Sequence, residues 1–226
     1  SSIQAGDIVI SNGHVDYNQA VAVGENGGNG GAIHSSGGTL TFSGGTINNN
    51  HADVDGGGFY VAVPNTNDIT TINSGATIAN NTAVNGAGAY VNQGLLKIQD
   101  AATNITSNTA TTSGGGIYMA NGTVTFTDAK VQTNTAANND GGGIYLGNGN
   151  ITISGANAAI SGNMAKSHGG GVYVGGGDFS MSGGVIGGTT AQGNKTTGNG
   201  GYGGGLYMGG GTATLTSGSI SGNTTT

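Results

Sequence analysis

One pattern constrains this chain more than any other: a glycine cluster, a short apolar run and an aromatic residue recur along almost its whole length. Successive clusters begin 26 to 34 residues apart. A unit of about 28 residues made of short strands cannot bury an apolar face alone, so the units are expected to stack. The clusters begin at Gly30, Gly56, Gly86, Gly114, Gly141, Gly169 and Gly203, and the aromatic residues are His34, Tyr60, Tyr90, Tyr118, Tyr145, Tyr173 and Tyr207.

A second column repeats an apolar residue, two intervening residues, an asparagine, one further residue and an alanine. We predict that these asparagines form a ladder inside a turn, where each side-chain amide bonds to the next coil, as in stacked amide columns. One copy departs from the pattern, because Ile186 is followed by Thr189, which we place in the asparagine position. The predicted ladder consists of Asn18, Asn50, Asn81, Asn108, Asn134, Asn163 and Asn223.

Between the two columns lies a segment in which apolar and polar residues alternate, as at Leu40 and Phe42 or Val124 and Phe126. Each repeat therefore holds three short strands separated by Gly, Asn and Ser turns. We predict an all-β fold, a right-handed parallel β-helix (solenoid) of about eight three-stranded coils, since right-handed crossovers are strongly favoured. The copy from Ile69 to Ile72 breaks the alternation and predicts a β-bulge.

The repeat extends over residues 1–226, which we interpret as a single β-helix domain. Two segments are longer than the repeat requires. We therefore expect longer loops near residues 21–30 and 192–203, on the surface of the solenoid.

The tetrapeptide Gly30-Gly31-Ala32-Ile33 and the apolar-x-x-Asn motifs resemble the polymorphic outer-membrane protein repeat, which is named for its GGAI and FxxN tetrapeptides. The resemblance covers nearly the whole chain. Ile or Val stands here in place of the Phe of FxxN. Members of that family are bacterial surface adhesins with β-helical passengers, so the resemblance implies an extracellular or cell-surface protein that acts in adhesion.

Composition excludes several functional classes. The chain carries four lysines, no arginine and a formal net charge of -6, so nucleic acid is not an expected partner. It has no cysteine, which excludes disulfides and thiolate metal sites. No apolar run approaches 18 residues, so a transmembrane segment is not predicted.

An enzyme is not predicted, although parallel β-helices host polysaccharide lyases and hydrolases. The lysines do not gather at one coil position. Asp55 and Asp140 occupy the same column three coils apart, about 14 Å by the coil rise, which is too far for an acid/base pair. His51, Asp53 and Asp55 alternate along the chain and form a weak metal candidate; otherwise no cofactor or metal is predicted.

The six tyrosines alternate with inward apolar residues, so they are expected to form an outward row with stacked rings. The row either stiffens the coil or offers aromatic faces to a glycan, which makes a carbohydrate-binding β-helix module the alternative function. A third, minor alternative is ice binding through an outward array of hydroxyls. The array consists of Thr39, Thr41, Thr123, Thr125, Thr127, Thr152, Ser154, Ser180, Ser182, Thr212, Thr214 and Thr216.

Neither end of the repeat array has the residues typical of a solenoid cap. Ile3, Ile8 and Ile10 begin the stack and Ile220 lies near its end. An open coil presents strand edges that another coil could extend, and a head-to-tail contact without closure gives a filament. We therefore predict a non-enzymatic microbial adhesin or fibre-forming protein. Its expected partner is a second copy of the chain, or a host or matrix glycan or protein.

Overall fold

The computed structural model describes residues 6–23, 26–62 and 67–226. Within these ranges all regular secondary structure is β, and no residue is helical. Every pairing between coils is parallel, and the strands stack as a β-solenoid of about eight turns. The fold class predicted from the repeat is confirmed at this level.

The strands lie on four faces, which we name after their prevailing residues, and every coil from Ile33 onward contributes to all four. The tyrosine face holds Ile33–Ser35, Phe59–Val61, Ala89–Val91, Val172–Gly176 and Leu206–Met208; the threonine face holds Ile8–Ser11, Leu40–Ser43, Ile69–Asn73 and Leu95–Gln99. Two strands run through both of these faces, Ile117–Thr127 and Ile144–Ser154.

The isoleucine face leads into the asparagine column. It holds His14–Asp16, Thr46–Asn48, Thr77–Ala79, Asn104–Thr106, Lys130–Gln132 and Ala159–Ser161. Two further strands run through the threonine and isoleucine faces, Phe179–Gly187 and Ala213–Ser221.

The alanine face corrects the prediction of three strands per coil, because each coil has a fourth strand of two residues after the stacked asparagine. Two residues are too few to show an alternating pattern, so the alanine that recurs two positions after the asparagine did not by itself indicate a strand. These strands form their own eight-stranded parallel sheet: Gln19–Ala20, His51–Ala52, Thr82–Ala83, Thr109–Ala110, Thr135–Ala136, Met164–Ala165, Lys195–Thr196 and Thr224–Thr225.

The core is a set of apolar columns that run along the solenoid axis. Leu40 and Phe42 are fully buried, and Ile8 and Ile10 pair with them in the expected register. Ile3 lies outside the described residues. Burial of columns such as these contributes about 25 cal/mol for each Å² of apolar surface removed from water, which makes them the main source of stability.

The bulge expected between Ile69 and Ile72 is wrong. Thr70 pairs with Leu40 and Ile72 with Phe42, and no register shift interrupts them. Thr70 is simply buried in the place that Leu occupies elsewhere, which leaves Ile69 half-buried. The register shifts instead where the strand from Phe179 pairs with the strand from Ala213.

The two regions predicted as long loops contain short strands. A two-stranded antiparallel hairpin, Ala22–Val23 with Asn26–Gly27, occupies the first region. In the second, Lys195–Thr196 is a regular member of the alanine face and pairs with coils on both sides. The chain therefore departs from the coil on each side of this strand rather than through one continuous loop.

Candidate functional site

The tyrosine stack, Tyr60 to Tyr207, is the longest regular feature on the surface. Successive ring centroids lie 4.5 to 5.2 Å apart, with interplanar angles of 4 to 19°. His34 continues the row below Tyr60 with a tilted ring at 5.0 Å. The stack follows the parallel register of the tyrosine face, and the predicted outward row of stacked rings is confirmed.

The faces of the inner rings lie against neighbouring rings, so a ligand would meet ring edges and phenol hydroxyls. Small residues flank the row: a side-chain carbon added at Gly147 or Gly175 would come within 3.6 Å of Tyr145 or 3.4 Å of Tyr173. Burial raises the pKa of Tyr60, Tyr118 and Tyr173 above the usual tyrosine value. Burial also raises the pKa of Tyr90 and Tyr145 to about 12.

The asparagine stack is buried from Asn50 to Asn194, and the bonds between its side chains all run in the same sense along the solenoid. In Asn108, for example, Nδ2 donates to Ile78 O of the coil below and to Asn134 Oδ1 of the coil above, at 3.0 Å each. Its Oδ1 accepts from the backbone N–H and the Nδ2 of Asn81. Both amide hydrogens and both oxygen lone pairs are used, which is the condition for burying an amide at little cost.

Asn194, rather than Thr189, belongs to this stack. Asn163 donates to Asn194 Oδ1 through both its backbone and side-chain nitrogens, and Asn194 donates in turn to Asn223. The interval from Ile186 to Asn194 is eight residues instead of the usual three, so five inserted residues hide the match in the sequence. The complete stack is Asn18, Asn50, Asn81, Asn108, Asn134, Asn163, Asn194 and Asn223.

The glycine clusters make room for this stack. A side-chain carbon at Gly116 would lie 2.7 Å from Gly143 O and 3.0 Å from Asn134 Nδ2. The first glycine of the same cluster, Gly114, has a φ of 66°, a conformation that glycine adopts without steric cost. The glycine clusters and the asparagine column, which both repeat in the sequence, therefore pack against each other across one corner of the coil.

All nine aspartates in the described residues accept hydrogen bonds from a neighbouring coil. Most accept from a backbone N–H, as when Thr39 donates to Asp7 and Thr212 to Asp178. These carboxylates tie adjacent coils together. They are Asp7, Asp16, Asp53, Asp55, Asp68, Asp100, Asp128, Asp140 and Asp178.

The metal candidate His51, Asp53 and Asp55 does not converge on one point. His51 Nε2 lies 3.0 Å from Asp53 Oδ1, whereas Asp55 accepts from Asn85 Nδ2 at 2.9 Å. The N–H of Ala22 and then His51 lower the pKa of Asp53, while burial raises the pKa of Asp55. In the part of the chain that the structure describes, no group of three His, Asp or Glu side chains is placed to hold a metal ion.

The aspartate–histidine pair between Asp140 and His168 was not anticipated. His168 Nδ1 lies 2.8 Å from Asp140 Oδ1, and the same oxygen accepts from the His168 backbone N–H at 2.9 Å. The imidazole also packs against Tyr207, with ring centroids 4.6 Å apart. Both residues directly precede a glycine cluster, so alignment of that column would have brought them together.

The hydroxyl array of the threonine face is in register but not continuous. Thr71 and Thr125 lie in one outward column, and Lys97 stands between them. The long, charged lysine side chain interrupts the array at the middle of the solenoid.

Comparisons with family models, curated proteins and solved structures found no match. The described residues contain no helix that is long and apolar enough to cross a bilayer. The main surface and core elements of the molecule are two continuous stacks on a solenoid with few charged residues.

Proposed function

We propose that this chain is a non-enzymatic, extracellular β-solenoid of a microbial surface, an adhesin or fibre segment whose coils continue head to tail into a second copy of the chain. The observation that carries the proposal is the single direction of the asparagine stack. In the bonds between side chains, each asparagine from Asn18 to Asn194 donates Nδ2 to the Oδ1 of the asparagine in the coil that follows. A solenoid with donors at one end and acceptors at the other is complementary to itself.

The coil of Ala213–Ser221 has inward columns that a further parallel coil would cover, whether that coil comes from a second copy or from more of the same polypeptide. Leu215 is 51% exposed and Ile220 39%, whereas Met181 and Ile186, their partners one coil below, are fully buried. The strand edge of Ala213–Ser221 that is unpaired among the described residues faces the same end of the solenoid as these two side chains. A parallel coil placed there would cover the apolar columns and pair the edge, as every earlier coil does.

The roles of the charged groups also favour a structural protein. The aspartates are hydrogen-bonded between coils, and the low content of charge opposes end-to-end contact only weakly. The resemblance to the GGAI/FxxN repeat favours location at a cell surface. A head-to-tail contact of this kind does not close on itself, so it gives thin unbranched filaments.

Negative-stain electron microscopy over a concentration series tests the proposal. The chain and its Thr214→Glu control should form filaments, since Thr214 lies in the outward column where Lys97 is already accepted. Leu215→Glu should give short rods. The new carboxylate is solvated on the free chain, but contact with a second copy would bury it without a partner, which is unfavourable. Short rods at every concentration, or filaments of Leu215→Glu, would overturn it.

A second candidate function is carbohydrate binding along the tyrosine stack, where a glycan would meet the continuous row of phenol hydroxyls and ring edges because the inner ring faces are covered. Glycan binding that is lost in Tyr118→Ala, Tyr145→Ala and Tyr173→Ala, while the fold stays intact, would favour this candidate. Binding unchanged in all three variants would assign the row a stiffening role.

A further inference from the structure

A groove on the corner after the isoleucine face is lined by neutral hydrogen-bonding side chains. Thr106, Gln132 and Ser161 occupy one outward column on three successive coils and form its floor. The groove has a volume of about 340 Å³. Its remaining lining residues are Thr133, Gly162, Ala191 and Gln192.

The five-residue insertion before Asn194 shapes one end of this groove. Gln192 takes the position that a residue such as Ser161 takes one coil earlier, because its backbone oxygen accepts from Gly162 N at 2.7 Å. The inserted turn is held by Gln192 N, which donates to Thr189 O at 2.9 Å, and by Thr189 Oγ1, which donates to Gln192 Oε1 at 3.1 Å. The turn thus has a defined place against the coil below.

Thr133 lines the groove at a corner that is left-handed in successive coils. Its φ is 53°, and the equivalent residues Ser107 and Gly162 have φ of 56° and 64°, so a β-branched residue stands here in a conformation that the coil itself imposes. This conformation places Thr133 Oγ1 at 2.9 Å from Thr106 Oγ1 and 2.7 Å from Gln132 O.

We propose that this corner groove, defined by Thr106, Gln132, Thr133, Ser161 and Gln192, binds a neutral oligosaccharide. Hydroxyl and amide groups both donate and accept hydrogen bonds, which matches the hydroxyls of a sugar. None of the seven lining residues is charged, so an anionic or cationic ligand would find no counter-charge. The methyl groups of Thr133 and Ala191 give the less polar side of a sugar ring something to contact.

This site lies on a different surface from the tyrosine stack and does not depend on contact between chain ends. If the groove binds no sugar, the proposal of filament formation is unaffected. If no filaments form, the proposal of sugar binding is unaffected. The two proposals are therefore tested separately.

Isothermal titration calorimetry with cellohexaose, mannohexaose, chitohexaose and hexagalacturonate tests the groove on the intact chain. At least one of the three neutral sugars should bind, and the anionic hexagalacturonate should bind at least tenfold more weakly. Gln132→Ala should weaken binding of the neutral sugar about tenfold. The matched control Gln99→Ala removes a half-buried outward glutamine from the threonine face and should leave binding unchanged.

Thr133→Gly separates binding from folding. Glycine relieves the left-handed strain, so the variant should melt at a higher temperature than the unaltered chain and still bind the sugar about tenfold more weakly. The proposal fails if no neutral sugar binds at millimolar concentration, or if binding survives in both Gln132→Ala and Thr133→Gly. It also fails if binding is lost in Tyr145→Ala but not in Gln132→Ala, which would assign the sugar to the tyrosine stack.

Discussion

The asparagine stack and the tyrosine stack are both columns of identical side chains, but they stabilise the solenoid in different ways. The inner asparagines, Asn50 to Asn194, are buried and hydrogen-bonded to both neighbouring coils, whereas the tyrosines are half-exposed and touch through ring faces. A buried hydrogen bond fails when one partner is removed, while ring packing declines with the area lost. The comparison indicates that the asparagines set the register of the coils and that the tyrosines add stability to a register already set.

Removing one buried amide should have the largest effect. Asn108→Ala leaves the backbone N–H and Nδ2 of Asn81 without their acceptor and Ile78 O without its donor. We expect a loss of about 3 to 5 kcal/mol in the free energy of unfolding, measured by urea denaturation. A loss below about 1 kcal/mol would mean that the asparagines do not set the register.

High pH should weaken the tyrosine stack selectively. Because the folded-state pKa of Tyr90 and Tyr145 is about 12, above the ordinary value of about 10, these phenols favour folding below pH 10. That contribution is lost as pH rises through about 12. Absorbance at 295 nm and circular dichroism should show late tyrosine ionisation together with loss of structure, and ionisation complete near pH 10 would contradict it.

Removing one ring should cost less than removing one amide. Tyr118→Ala should lower the free energy of unfolding by about 1 to 2 kcal/mol, because two ring contacts of 4.5 and 4.8 Å are lost. Tyr118→Phe keeps both contacts and should change stability by less than about 0.5 kcal/mol. If Tyr118→Ala costs as much as Asn108→Ala, the two stacks do not differ as described.

A stabilising change should have the smallest effect. Thr196 is fully buried in a column otherwise filled mainly by alanine, and its Oγ1 has no hydrogen-bond partner among the described residues. Thr196→Val keeps the shape and removes the unsatisfied oxygen, so we expect a gain of about 1 kcal/mol by thermal unfolding. A decrease would mean that the hydroxyl has a partner in solution.

The columns could be predicted from the sequence because each recurs at the coil period. The pattern is recognisable at Tyr60 to Tyr207 and at seven of the eight stacked asparagines, because turn length varies little between these copies. Asn194 was missed because five inserted residues moved it away from Ile186. The period identifies a column only while the intervening turns keep their length.

The contacts between coils were less accessible to sequence reasoning. The bond from Thr212 to Asp178 and the pairing of Asp140 with His168 join residues 28 to 34 positions apart in columns that have no single residue type. Thr70 was misread for a related reason, since a buried threonine looks like a break in an apolar pattern. These assignments require the register itself, which the glycine clusters supply for Asp140 and His168 but which residue types alone do not supply for Asp178 and Thr70.

Hydrogen exchange of the asparagine side-chain amides, followed by NMR, tests the central claim most directly. If the buried stack sets the register, the Nδ2 hydrogens of Asn81, Asn108, Asn134 and Asn163 should exchange as slowly as the backbone amides of the core, while those of the exposed Asn138 exchange at once. Fast exchange at all of these asparagines would contradict the claim. It would show that the coils are held in register by the apolar columns and the tyrosine stack instead.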